Sequence, residues 1–275
     1  MELMSSYNDS TMDRVSTDIA TWAEQTGAPV LTVSGLCFSY PGRANVLQDL
    51  SLDVMPGERV GIIGPNGAGK TTFFLTISAV LKPSAGDISV LGKPVLNGDF
   101  RPEVGLVFQN PDDQLFCPSV RDDVAFGPGN MGLSKDEVEA TVTEALSAVG
   151  GLELADRPAH HLSEGEKRMV SIASVLAMRP RLVLYDEPSG NLDIRSRRRL
   201  IRLLQASKET ILIASHDLEL VLEVCGRVLL IDNGRVVADG NPIEIMGDDE
   251  LMEAHGQEKP HSLVPHSMPH QRHFR

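Results

Sequence analysis

The chain has 275 residues, of which 41% are hydrophobic, so its size allows one large α/β domain or two small ones with a full core. A formal net charge of −13 excludes the basic surface of a general nucleic-acid-binding protein and argues against adhesion to an anionic membrane. No apolar run approaches the roughly 18 residues that span a bilayer, and the polar, acidic start is unlike a secretory signal, so any membrane role is expected to be peripheral.

Short strands are predicted along the first part of the chain. Residues 1–29 are polar and are expected to form an extension ahead of the folded domain. Beyond them, apolar and β-branched runs predict strands, with a turn at Pro56-Gly57-Glu58. A helix is predicted to begin at Lys70 and to continue until Pro83. The strands predicted here cover residues 30–39, 46–54, 59–64, 87–91 and 104–109.

The middle of the chain, about residues 110–178, is predicted to be helical. Ser134 and Glu137 form the capping box of a helix that runs to Val149, and a second helix is expected after Ser163. From residue 181 strands alternate with helices, which predicts a parallel sheet. Asn233-Gly234 predicts a hairpin between the last two strands. These later strands cover residues 181–186, 210–215 and 227–232, and helices are expected after Asp193 and Asp217.

One glycine-rich segment carries the strongest chemical signal. Gly64-Pro65-Asn66-Gly67-Ala68-Gly69-Lys70-Thr71-Thr72 fits G-x4-G-K-[ST] between an apolar strand and a helix, as a phosphate-binding P-loop does. Its backbone N–H groups can converge on phosphates, and the helix N-terminus adds partial positive charge. Lys70 is predicted to reach the β- and γ-phosphates, and Thr71 to ligate Mg²⁺.

A second signal is an apolar strand that ends in two carboxylates. Residues 182–185 are followed at once by Asp186 and Glu187. Neighbouring strand residues point to opposite sides, so the two carboxylates can take separate roles. We expect Asp186 to hold Mg²⁺, directly or through water, and Glu187 to polarise the attacking water as general base. An acidic loop after a strand is common on its own, and the P-loop is what gives this motif its weight.

A third signal is the sequence LSEGEKR at residues 162–168, which opens a helix. Ser163 is a good N-cap and Gly165 leaves room for close approach. This helix N-terminus therefore suits an anion such as a γ-phosphate. A capped helix without any ligand is the alternative interpretation of the same residues.

Together these motifs resemble the ABC ATPase family over about residues 30–245. The resemblance implies an α/β P-loop NTPase fold with a RecA-like parallel-sheet core, an antiparallel β subdomain and an inserted helical subdomain, in a domain spanning residues 30–249. It also assigns further roles. Tyr40 matches the aromatic residue that stacks on adenine, Gln109 the Q-loop glutamine, Gly190-Asn191-Leu192-Asp193 the D-loop, and His216 the switch histidine that contacts the γ-phosphate.

The resemblance implies the cofactors ATP and Mg²⁺ and a head-to-tail dimer, either a homodimer or a heterodimer of paralogous ATPases. Each ATP would lie between one P-loop and the other chain's Ser163–Gly165 segment. Glu164 and Glu166 depart from the family's LSGGQ signature. A carboxylate facing the triphosphate would be unfavourable, whereas one facing solvent in the first turn would favourably oppose the helix macrodipole. The implied catalytic residues are Lys70, Gln109, Glu187 and His216; the metal ligands are Thr71, Gln109 and Asp186; the nucleotide contacts are Tyr40, Gly64 to Thr72, Gln109, Ser163, Gly165 and Asp186.

Two longer stretches, residues 108–138 and 176–193, resemble the ATPases of prokaryotic energy-coupling-factor importers, especially the cobalt and nickel type. That family implies an integral-membrane coupling (T-type) protein and a substrate-binding membrane component as partners, no nucleic acid, and a peripheral place at the cytoplasmic face of the cell (inner) membrane. Its coupling contact would fall on the loop after Gln109, unless this is an ordinary loop between subdomains. The candidate contacts are Asp112, Asp113, Gln114, Leu115 and Phe116.

The tail, residues 250–275, is rich in His and Pro and is predicted to be flexible. Neutral imidazoles suit Co²⁺, Ni²⁺ and Zn²⁺, but the irregular spacing fits no fixed metal site. A weak metal-binding tail and a solvated tail without metal both fit. The five histidines are His255, His261, His266, His270 and His273.

Three other functions share parts of the pattern. One is the ATPase of an ABC importer for a vitamin or another solute. Another is a soluble, non-transport ABC ATPase, although such proteins usually carry two ATPase units or long coiled coils, whereas this sequence has one P-loop. The third is an export ATPase, which shares every ATP-site residue and differs only in the stretch from Gln109 to Gly127.

Overall fold

Two β-sheets form the framework of the molecule in the computed structural model, which describes residues 27–264. The smaller sheet is antiparallel, with strand order β2-β1-β4-β5. It follows the β-rich start of the sequence, where inward apolar residues alternate with exposed polar ones. Its strands are β1 (Leu31–Tyr40), β2 (Arg43–Val54), β4 (Ala85–Val90) and β5 (Lys93–Pro94).

The larger sheet has the strand order β10-β9-β3-β8-β7-β6, and every neighbouring pair except β10–β9 is parallel. Asn233 and Gly234 both have positive φ, 47° and 73°, as a tight hairpin turn between β9 and β10 requires, so the predicted hairpin is confirmed. The strands are β3 (Arg59–Ile63), β6 (Val104–Val107), β7 (Leu182–Asp186), β8 (Thr210–Ala214), β9 (Arg227–Asp232) and β10 (Arg235–Gly240).

Helices cover both the parallel sheet and the inserted middle region. The capping boxes at Ser134 and Ser163 are both formed. Short 3₁₀ turns lie at Pro111–Asp113, Leu152–Leu154, Ala159–His161 and His261–Leu263. The helices are α1 (Lys70–Ile77), α2 (Val120–Asn130), α3 (Lys135–Ala148), α4 (Glu164–Leu176), α5 (Ile194–Ala206), α6 (Leu218–Val224), α7 (Pro242–Gly247) and α8 (Asp249–Ala254). The molecule thus has the parallel-sheet core, the antiparallel β subdomain and the inserted helices that the sequence resemblance implied.

Three helix predictions need correction. Helix α1 ends at Ile77 rather than near Pro83, because Ala79 takes a left-handed φ of 62°. Helix α2 lies in the middle region that is predicted to be helical, but no separate helix was assigned there, since Pro128 and two glycines in its last turns are typical of a loop. The tail prediction is wrong in its first part, where α8 forms and buries Met252 completely. His266, His270 and His273 lie outside the described residues.

Two apolar clusters hold the elements together. One lies between the parallel sheet and helices α2 to α8, and the other between the two sheets around α1. The hairpin turn joins the sheets at one edge: the Gly234 N–H donates to the Ala68 carbonyl at 3.1 Å, and the Gln48 N–H donates to the Gly234 carbonyl at 2.8 Å. Among residues 27–264, no helix has the length and apolarity to cross a membrane.

Candidate functional site

The candidate site lies where three neighbouring parallel strands end. Strand β8 lies between β3 and β7. Strand β3 leads into the glycine-rich loop, β7 into Glu187 and β8 into His216. Carboxyl ends of parallel strands share one edge of a sheet, so residues distant in sequence meet there. This topology brings together the P-loop, the acidic pair and the switch histidine that the sequence predicted separately.

The P-loop is held tightly against the sheet. Gly64 has a φ of 142°, and a Cβ there would lie 1.9 Å from the Ile231 carbonyl oxygen of β9, so only glycine fits. The Lys70 ammonium donates to the carbonyl oxygens of Gly64 at 2.7 Å and Pro65 at 3.1 Å. Burial lowers the pKa of Lys70, and the nearby charges of Glu187 and Asp186 partly oppose that effect.

Asp186 is buried at the end of β7, 3% exposed. Burial raises its pKa, and a hydrogen bond with the Thr71 side chain works in the other direction. Its Oδ1 atom has no hydrogen-bond partner within residues 27–264. A buried carboxylate oxygen without a donor, beside a threonine hydroxyl, is a donor set that suits a hard cation such as Mg²⁺.

Glu187 follows with an unusual backbone, since its φ is 47°. Its N–H donates to the Ala214 carbonyl at 2.8 Å, which fixes the residue against β8. Its Oε2 lies 2.6 Å from His216 Nδ1 and accepts the His216 backbone N–H at 3.1 Å. The carboxylate and the histidine therefore form one hydrogen-bonded unit at the strand ends.

Tyr40 lies beside the helix that follows the P-loop. Its hydroxyl is 3.3 Å from Thr72 Oγ1, and its ring packs edge-on against Phe38, with centroids 4.8 Å apart. Arg43, which the sequence gave no reason to select, donates to the Gly67 carbonyl at 2.9 Å and so supports the loop from the antiparallel sheet. The expected adenine contact stays a prediction.

Gln109 has an exposed side chain, and its backbone is held by a residue that the sequence analysis missed. Arg168 of α4 is 3% exposed and donates to the carbonyl oxygens of Phe108, at 2.6 Å, and Gln109. Burial lowers the pKa of Arg168, while Glu164, Asp186 and Glu187 act in the opposite direction. An arginine directly before an apolar run was the one available signal. Arg168 therefore ties the loop around Gln109 to α4, the helix that begins at the signature segment.

The signature segment lies at the start of α4. Within residues 27–264, neither Ser163 nor Gly165 is hydrogen-bonded to the P-loop of the same chain. The Ser163 N–H and hydroxyl are instead 2.8 and 2.7 Å from Glu166 Oε2. A Cβ on Gly165 would lie 2.7 Å from Ser196 Oγ, so α4 packs closely against α5 at this position.

Glu164 is paired with a lysine of its own helix. Its carboxylate pairs with Lys167 at 3.3 Å, and Lys167 also reaches Asp112 at 2.8 Å in the loop after Gln109. Of the five candidate coupling residues, Gln114 and Leu115 are turned inward: Gln114 donates to the Ser171 carbonyl at 2.7 Å, and Leu115 is buried. The accessible ones are Asp112, Asp113 and Phe116.

A second network links the D-loop region to the switch histidine. Asp217 accepts two hydrogen bonds from Arg197 of α5, at 2.8 and 3.1 Å, and one from the Ser189 side chain. These donors keep the pKa of Asp217 below its usual range although burial raises it. Arg197 lies on a helix face with no motif, so no pattern in the sequence pointed to it.

Comparisons with known proteins agree with this geometry. Residues 47–190 match the family model described as ABC transporter. An ABC transporter ATP-binding protein of Synechocystis is 55% identical over 86% of this chain and 83% of its own. The energy-coupling factor transporter ATP-binding protein of Methanothermobacter thermautotrophicus is 46% identical over 81% of this chain and 74% of its own. The structure of cbiO1 from Clostridium perfringens, part of the ABC transporter complex cbiONQ, superposes with a TM-score of 0.72 at 36% identity, covering 82% of this chain and 94% of that one.

Proposed function

Because the chain belongs to the family of ABC transporter ATP-binding subunits, we propose that it powers an energy-coupling-factor importer for cobalt or nickel ions. ATP binding and hydrolysis are the activity of this family. The observation that carries the proposal is the meeting of Lys70, Asp186 and the Glu187–His216 pair at one sheet edge. Around it lies an exposed loop whose sequence resembles importer ATPases.

Each residue of that edge has a chemical role in the proposal. Lys70 and the backbone N–H groups of the P-loop bind the phosphates. Glu187 accepts a proton from the attacking water, and His216, fixed to the same carboxylate, contacts the γ-phosphate. Tyr40 supplies the aromatic face for adenine. The side chain of Gln109 is exposed beside this edge, where it can orient water and sense the partner.

Thr71, Asp186 and Gln109 would hold Mg²⁺. The unpaired, buried Oδ1 of Asp186 beside the Thr71 hydroxyl supports this assignment. Mg²⁺ when bound would supply charge neutralisation for the phosphate oxygens.

The dimer is the second part of the proposal. Ser163 and Gly165 make no hydrogen bond with the P-loop of their own chain within residues 27–264, which supports their use by a second chain's nucleotide. That second chain is an identical copy or a paralogous ATPase. ATP bound between them would close the pair, and hydrolysis would open it.

The membrane partner is the third part. Phe116 and Phe126 are 67% and 52% exposed and stack edge-to-face with centroids 5.0 Å apart. Exposed aromatic pairs of this kind are typical of binding surfaces. We place the T-type coupling protein here, at the cytoplasmic face of the membrane, with a substrate-binding component beyond it. The likeness to an energy-coupling factor ATPase and to cbiO1 supports this class of importer.

The assignment of cobalt or nickel as the transported ion rests on the resemblance of residues 108–138 and 176–193 to the cobalt- and nickel-type ATPases. The histidine-rich tail supports it less, because His255, its first histidine, already lies 2.9 Å from Asp232. The test is uptake of labelled Co²⁺, Ni²⁺ and a vitamin in cells with and without this chain. Metal uptake that needs the intact chain and fails with Lys70→Ala supports the proposal; loss of vitamin uptake alone would assign another substrate.

A further inference from the structure

The first turn of α4 carries its own anion at the helix N-terminus. Glu166 Oε2 lies 2.8 Å from the Ser163 backbone nitrogen and 2.7 Å from Ser163 Oγ. The Ser163 hydroxyl in turn accepts the Glu166 N–H at 3.3 Å. This reciprocal capping box satisfies two donors at the positive end of the helix dipole. One carboxylate oxygen therefore takes both the N–H and the hydroxyl proton of Ser163.

The Ser163 hydroxyl is also the donor that the proposed dimer uses. In the proposed function, on which this inference rests, Ser163 meets the terminal phosphate of ATP bound to the other chain. A phosphate oxygen and a carboxylate oxygen cannot accept the same hydroxyl proton, and two anions repel at that distance. We propose that Glu166 is an internal competitor that must leave Ser163 before the ATP-bound dimer closes. While Glu166 occupies the Ser163 hydroxyl, it opposes closure of the dimer.

The other acidic residue of the signature does not share this role. The Glu164 carboxylate is paired with Lys167 at 3.3 Å and is 55% exposed. Lys167 is anchored to Asp112 as well, so this side of the first turn is neutralised. Glu166 has no ion pair within 4 Å among residues 27–264; hydrogen bonds from Ser163 stabilise its charge most, and Arg157 contributes at longer range.

The chain contains a matched control. Ser134 and Glu137 form a second capping box at the start of α3, with the same separations of 2.8 and 2.7 Å from Glu137 Oε2 to the Ser134 nitrogen and hydroxyl. Its hydrogen bonds involve no residue of the candidate site. Glu137→Gln and Glu166→Gln therefore cause the same loss of charge in the same local geometry, and glutamine is itself an accepted capping-box residue, so both variants should fold.

The experiment measures ATP-dependent dimerisation by sedimentation velocity in the Glu187→Gln background, where hydrolysis does not break the dimer. Adding Glu166→Gln should lower the ATP concentration for half dimerisation about tenfold, because a neutral acceptor competes less well than a charged one. Adding Glu137→Gln should leave it unchanged.

Two results would overturn the inference. If Glu166→Gln leaves the half-dimerisation concentration equal to that of Glu137→Gln, or raises it, Glu166 does not compete, although the proposed dimer stands. If the Glu187→Gln parent forms no dimer at any ATP concentration, the dimer and the inference both fail. Circular dichroism of all variants confirms that the helices are intact.

Discussion

The Nδ1 atom of His216 lies 2.6 Å from Oε2 of Glu187, and the same oxygen accepts the backbone N–H of His216 at 3.1 Å. The histidine is thus tied to the carboxylate by its ring and by its main chain. The His216 side chain is 68% exposed and the Glu187 side chain 9% exposed, so the imidazole faces solvent and the carboxylate lies buried behind it. A change at either residue should disturb the other.

Glu187→Gln should keep ATP binding and lose turnover. The amide oxygen can still accept the His216 N–H, so the fold of the strand ends is retained, but no base remains. We expect kcat to fall by about 100- to 10,000-fold. The measurement is phosphate release alongside nucleotide affinity. Turnover within a few-fold of the wild type would remove Glu187 as the base.

Lys70→Ala should abolish nucleotide binding. It removes the buried ammonium and leaves the Gly64 and Pro65 carbonyls without their donor. Affinity should drop at least about 100-fold, the loss expected for a charged hydrogen-bond donor to phosphate. Calorimetric titration with ATP gives the value. Lys82→Ala, at an exposed lysine, is the control and should bind normally; equal affinity of the two variants would contradict the P-loop assignment.

Replacing both Phe116 and Phe126 by alanine should break the contact with the membrane partner. Each ring is more than half exposed, and truncating a buried aromatic anchor of an interface usually weakens binding at least about 30-fold. The measurement is co-purification from membranes. ATP hydrolysis by the isolated subunit should persist. Phe100→Ala, at a phenylalanine 63% exposed elsewhere, is the control; if the double variant still co-purifies, the coupling surface lies elsewhere.

The two capping boxes should make stability depend on pH. Hydrogen bonds from Ser134 and Ser163 lower the pKa values of Glu137 and Glu166 in the folded state. A depressed carboxyl pKa contributes stability above the unfolded value, and that stability is lost as the pH falls through the folded value. Glu137→Gln should therefore unfold at lower urea than the wild type at neutral pH. The difference should be full above about pH 4.5, the ordinary pKa of an unfolded glutamate, and should shrink as the pH falls below it toward the lower folded value. A constant difference across this range would exclude ionisation as its cause.

Much of the fold follows from local sequence. The helix start at Lys70, the capping box at Ser134, the N-cap at Ser163 and the Asn233-Gly234 hairpin each depend on residues adjacent in the chain, and these predictions are confirmed. Helix α2 lies in the region predicted to be helical, but its bounds were not assigned although Ser119 is an N-cap. Its neighbours also hold it: Val120 and Val124 are buried, and Asp123 accepts the N–H groups of Phe116 and Cys117. Helix α7 did have a signal in Asn241 and Pro242, an N-cap followed by proline.

In the site, too, some residues are marked by local sequence and others only by contacts across the fold. Lys70, Asp186 and Glu187 were selected from motifs that follow a strand, and His216 from the family resemblance; the structure brings the four together, and their roles stay predictions. Arg168 and Arg197 were missed because their role is set by which backbone and carboxylate they meet across the fold. The side-chain direction of Glu166 also depends on the reciprocal bond that it makes rather than on its position in the signature.

The hydrogen bond from the Gly234 N–H to the Ala68 carbonyl gives the molecule a built-in reporter. The amide belongs to a hairpin turn, outside the phosphate cradle, yet its acceptor is an oxygen of the cradle itself. Its hydrogen can exchange with solvent only when the hydrogen bond to the Ala68 carbonyl opens. Exchange at Gly234 therefore reports how firmly the loop is held, from a turn that is not part of the loop.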